Sequence, residues 1–135
     1  MAVTRLTYGF GRQVDAPFDE VLARAKAALQ AEGFGLMCEI DVRKTIKEKL
    51  GAEFRRYVIL GACNPPLAHR ALEAEPDLGL LLPCNVIVYE ADGGATVEAI
   101  DPEKLLGLVH NPELEPVARE VKARFERAIE RLAKG

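Results

Sequence analysis

The chain has 135 residues, 18 basic side chains against 21 acidic ones, and neither serine nor tryptophan. Missing serine excludes every serine-nucleophile hydrolase and a P-loop ending in Gly-Lys-Ser, and no Gly-Lys-Thr stands in for it. The formal charge of −3 argues against a nucleic-acid partner, because phosphate neutralisation needs a net basic face. The length fits a single domain over residues 1–135 that can bury a core without disulfides or a structural metal. No apolar run approaches the roughly 20 residues of a membrane span. The N-terminal residues lack the apolar region and cleavage site of a secretory signal. Cys38, Cys63 and Cys84 form an odd set with no CxxC pair, which points to a reducing cytoplasm rather than a disulfide scaffold. Many Glu and Arg, few amides and 8 prolines give the composition a thermophile-like cast.

Residues 3–13 read as a strand interrupted by Gly9 and Gly11. Asp15 is expected to cap the next helix, with Pro17 in its first turn. Phe18, Val21, Leu22, Ala25, Ala28 and Leu29 then follow helical spacing. Gly33 supplies the left-handed stop, and Phe34 folds back on the last turn. Leu36 to Asp41 alternates as a half-buried strand, which places Cys38 in the core beside Leu36 and Ile40. A short amphipathic helix built on Val42, Ile46 and Leu50 ends at Gly51. The continuous Val58-Ile59-Leu60 predicts a central strand covered on both faces.

Asn64-Pro65-Pro66 is a helix start, since asparagine caps and proline loses no hydrogen bond in the first turn. Leu78 to Leu82 is an exposed apolar segment ending at Pro83, of the kind that a ligand or partner covers. Asn85 to Glu90 and Thr96 to Ile100 are strands joined by a hairpin at Asp92-Gly93-Gly94. Asp101-Pro102 and Asn111-Pro112 are further cap-plus-proline starts, and the long last helix carries Val117, Val121, Phe125, Ala128 and Ile129 on one face. This order describes an α+β domain with a mostly antiparallel sheet covered by two main helices.

Two thiols stand beside asparagines at strand ends, in Cys63-Asn64 and Cys84-Asn85. Lying next to a helix N-terminus, Cys63 is expected to have a lowered pKa and raised reactivity. Three readings stay open. Cys63 and Cys84 are buried small residues, or a thiol redox or sensing pair, or two ligands of a soft metal completed by His69. The candidate binding residues are accordingly Cys63, Asn64, His69, Cys84 and Asn85, with none designated catalytic and no metal ligand assigned. His110 reads as a loop residue. Gly9-Phe10-Gly11 is no dinucleotide loop, because Val14 occupies the third glycine position.

Tyr57-Val58-Ile59-Leu60-Gly61 followed by Cys63-Asn64-Pro65, and Leu82-Pro83-Cys84 with its hairpin, resemble the uncharacterised domain-of-unknown-function 302 family. The Pro17-Phe18 helix start, the Gly33-Phe34 turn and the Asp101-Pro102 corner extend the resemblance over nearly the whole chain. It implies a TATA-box-binding-protein-like topology, strand–helix–four strands–helix with extra short helices, and no assigned activity, cofactor or catalytic residue. With no complete catalytic constellation in the sequence, the expectation is a non-enzymatic domain. Its partners would be a small molecule or a second copy of itself in a homodimer, without nucleic acid or membrane. The cofactor stays unknown.

Overall fold

The computed structural model describes residues 3–134; residues 1, 2 and 135, at the ends of the expected domain, lie outside it. A six-stranded antiparallel sheet, in the order β1-β2-β6-β5-β4-β3, carries its main helices on one face. The α+β expectation holds.

The opening segment departs from the single strand expected over 3–13. β1 (Thr4–Arg5) turns back on β2 (Gly9–Val14), pairing Thr4 with Gly11, and the Leu6 N–H donates to the Gly9 carbonyl at 2.7 Å. Gly11 is needed where β2 meets β6: a Cβ there would stand 1.9 Å from the Val97 carbonyl oxygen. α1 (Phe18–Ala31) starts from Pro17 with no side-chain cap, so Asp15 does not perform the role expected of it. The Ala16 N–H closes a tight turn on the Val14 carbonyl, which leaves Asp15 in the strand-to-helix corner, too far back to reach the first helical N–H groups.

The end of α1 follows the sequence closely. Gly33 has φ +86°, and the N–H groups of Gly33 and Phe34 donate to the carbonyls of Gln30 and Leu29. This is a Schellman stop, and it points Phe34 inward to stack on Phe125, ring centres 4.6 Å apart.

β3 (Gly35–Asp41) is the outermost strand, bonded only to β4 and bulged between Leu36 and Cys38. Cys38 is therefore exposed, not core, since an edge strand beyond the helices has nothing to bury its alternating residues against. α2 (Val42–Leu50) is capped by Asp41, ends at Gly51 with φ +65°, and buries no residue. β4 (Tyr57–Cys63) is central but covered on one face only, with Val58 and Leu60 buried and Ile59 half-buried.

α3 (Pro65–Ala74) starts at Asn64 and α4 (Pro102–Gly107) at Asp101, while Asn111 caps a 3-10 turn over Pro112–Leu114. These three caps supply what serine often supplies elsewhere. The Leu78–Leu82 run is neither strand nor open loop. Pro76–Leu81 is a 3-10 turn that buries Leu78, leaves Leu80 88% exposed and leads into β5 (Cys84–Ala91). Asp92 and Gly93, both at positive φ, return the chain as β6 (Gly94–Ile100). α5 (Glu115–Arg131) closes the layer. The core lies between sheet and helices, built on Phe10, Val21, Leu60, Val86, Val97 and Phe125.

Candidate functional site

At the end of the sheet where β4 finishes and β5 begins, the helical layer leaves a gap. Small residues make the room: Ala62 on the sheet, Ala68 and Ala71 on α3, and Gly79 in the 3-10 turn. The result is an apolar cavity of about 290 Å³ between α3, the Pro76–Leu81 turn and α5. Leu78, Leu106 and Val121 line its inner side, and half-exposed Leu72 and exposed Met37 stand at its edge.

Three of the five sequence candidates line this cavity. Cys63 is the last residue of β4, and Asn64 the cap of α3. Cys84, the first residue of β5, is paired across the sheet with Ala62. Asn64 is committed to structure: its Oδ1 accepts from the Leu67 N–H at 3.2 Å, and its Nδ2 donates to the Gly33 carbonyl at 3.3 Å. It thereby ties the start of α3 to the end of α1.

The other two candidates lie elsewhere. His69 is on the outer side of α3, its Nε2 2.8 Å from Glu73 one turn on, because a step of two along a helix from Leu67 turns away from the buried stripe. Asn85 follows Cys84 on a strand, so it points to the opposite face of the sheet, where it is exposed. The soft-metal set of Cys63, Cys84 and His69 is thus not assembled. Among the described residues no group of three His, Cys, Asp or Glu side chains is placed to hold a metal ion.

The thiols also differ from the expectation for a helix N-terminus. Burial pushes Cys63 up from its ordinary value and Cys84 up to about 11, the latter raised further by the nearby Cys63. Desolvation opposes the thiolate, and Asn64 already occupies the helix end whose N–H groups would have favoured it. Both thiols are protonated at neutral pH. What the cavity offers is contact surface and two weak hydrogen-bonding groups.

Among the lining residues that the sequence candidates did not include are Met37, Ala68, Ala71, Leu72, Leu106 and Val121. The small Ala68 and Ala71 on the stripe of α3 were the available signal.

A second, wider groove of about 950 Å³ lies at the start of α1 and contains Arg55 and Arg56. Its cations are engaged. Arg56 bonds Asp19 at 2.6 Å and lies over the Phe18 ring, while Arg55 covers Tyr89 and donates to the Glu90 carbonyl. The smaller apolar cavity is the better candidate because its walls lack partners that a ligand would have to displace.

A family model described as "Domain of unknown function DUF302" matches residues 10–132. The chain belongs to the DUF302 family. The resemblance carried by the Tyr57–Gly61 strand, Cys63-Asn64-Pro65 and Leu82-Pro83-Cys84 is borne out. The chain is also similar to a solved structure, described as the crystal structure of uncharacterized conserved protein DUF302 from Bacillus stearothermophilus. The TM-score is 0.86 at 29% identity, over 94% of this chain and 99% of that one. No curated protein matches. The DUF302 fold seen here is therefore shared nearly end to end with that structure. Among the described residues no helix is long and apolar enough to cross a membrane.

Proposed function

We propose that the protein is a small-molecule-binding domain whose ligand sits in the apolar cavity between α3, the Pro76–Leu81 turn and α5. The observation that carries this reading is a volume of about 290 Å³ walled mainly by aliphatic side chains, with Phe34, Asn64 and two thiols, whereas the space around Phe125 in the core amounts to about 10 Å³. An aliphatic cavity of about 150 Å³ stays dry and takes up benzene. A cavity nearly twice that size suits a bicyclic ring or a compact alkyl chain. Binding is favoured over catalysis because the lining supplies packing and two protonated thiols, with no carboxylate, imidazole or amine beside them. Thiol redox or sensing by Cys63 and Cys84 is the weaker reading for the same reason.

N-phenyl-1-naphthylamine, an uncharged probe that fluoresces in apolar surroundings, tests the proposal. The wild-type protein is expected to bind it saturably, and Ala71→Phe, which projects a ring into the cavity, to weaken binding by at least about tenfold, about 1.4 kcal/mol. Ala68→Phe is the second variant should Ala71→Phe fail to fold. Equal affinity for wild type and a folded filled variant overturns the reading.

A second copy of the chain is the partner that fits the open face of the sheet. That face carries Ile59, Ile87 and the stacked Tyr57–Tyr89 pair, 5.4 Å between ring centres, all half-buried. Sedimentation velocity decides between monomer and homodimer.

A further inference from the structure

We infer that the cavity selects uncharged molecules and rejects ions of the same skeleton, so that its ligand is a neutral, weakly polar compound rather than a carboxylate or an amine. This rests on the binding reading above and specifies the ligand class. Among the described residues, none of the side chains that line the cavity is Lys, Arg, His, Asp or Glu. The two atoms of the Asn64 amide are already turned to the Leu67 N–H and the Gly33 carbonyl. Arg124 comes close to this corner, its guanidinium 3.0 Å from where a Gly33 Cβ would stand. It is spent on the Glu32 carbonyl at 2.9 Å and on Glu120 at 2.8 Å. On the α4 side, Lys122 is held by Asp101 and Glu103 at 3.1 and 3.0 Å.

A charged head group entering the cavity would leave water and gain no counter-charge, which is the costliest form of burial. A hydroxyl or an aromatic N–H loses less and can meet the thiols of Cys63 and Cys84, which burial keeps protonated: each S–H is a weak donor to a hydroxyl oxygen and each sulfur a weak acceptor from an O–H or N–H. The same absence of a fixed charge makes the preference reversible by design. Ala68 is half-buried at the edge of the lining, where a lysine stem can lie along the apolar wall with its ammonium at the mouth.

The experiment displaces N-phenyl-1-naphthylamine at pH 7.5 with 1-octanol, octanoate or octylammonium, which share one alkyl skeleton and differ in charge. Octanol is expected to displace the probe at concentrations at least about 30-fold below either ion. Ala68→Lys is expected to improve octanoate by about tenfold or more while leaving octylammonium ineffective. Displacement by either ion within about threefold of octanol, or failure of octanol to displace, overturns the charge selection and leaves probe binding intact. A probe that does not bind, or that binds Ala71→Phe as well as wild type, overturns the binding reading itself.

Discussion

Phe125→Ala is expected to destabilise the protein by about 3–5 kcal/mol, the range for removing a fully buried ring. Phe125 is fully buried, lies on α5 where the helix crosses the sheet, and stacks on Phe34 with the ring planes 19° apart. Its surroundings are tight. The free space among Phe125, Leu29, Val86, Val97 and Ala128 amounts to about 10 Å³, so these side chains pack closely around the ring and lose its contacts when it is removed. The substitution also unseats Phe34, and with it the stop that ends α1. Urea unfolding measures the loss as a lower midpoint at unchanged slope. Leu80→Ala, at a side chain 88% exposed, is the matched control and should change stability by less than about 0.5 kcal/mol. A Phe125→Ala loss under about 1 kcal/mol would mean that α5 is not packed as described.

Glu32→Gln is expected to cost about 2–3 kcal/mol at neutral pH, through the charge it removes from the α1–α5 junction. Glu32 is 6% exposed. Its two carboxylate oxygens accept from Arg127 Nε at 2.8 Å and Arg131 Nε at 2.9 Å, and its carbonyl accepts from Arg124. Glutamine keeps the shape but leaves two arginines facing a neutral amide. The cost stays below that of a fully buried pair because both arginines are about half exposed and recover water. Burial alone would raise the Glu32 carboxyl; the hydrogen bonds from Arg127 and Arg131 outweigh it and hold the group below the ordinary 4.5. A depressed folded pKa gives stability that is complete above the unfolded value and is lost as pH falls through the folded one. The difference between wild type and Glu32→Gln should therefore be flat above about pH 5 and shrink below 4.5. A difference that grows on acidification would contradict the assignment.

Most features set by neighbours in the chain were legible beforehand, the Asp15 cap being an exception. The Gly33 stop, the Asn64, Asp101 and Asn111 caps and the Asp92-Gly93 turn each depend on a few consecutive residues and a backbone rule. Features set by distant partners were not. Cys38 alternates with apolar neighbours exactly as a core residue would, and only the position of β3 at the sheet edge exposes it. The fold-back at Leu6–Gly9 needed β6 alongside β2 to be visible as two strands.

The candidate site divides the same way. Cys63 and Cys84 come together because β4 and β5 are neighbours, which the strand ends suggested. The alternation of a strand then sends Asn85 to the far face, and the turn of a helix sends His69 outward. The cavity itself is a matter of volumes: Ala68 and Ala71 look like ordinary helix-stripe residues until their distance from α5 is known.

The most direct test of the cavity-binding account is a crystal structure of the protein soaked with 1-bromonaphthalene, whose bromine marks its position by anomalous scattering. The account predicts a bromine peak enclosed by α3, the Pro76–Leu81 turn and Cys84. A cavity that stays empty, or is closed by its own side chains, while the compound binds elsewhere would contradict it.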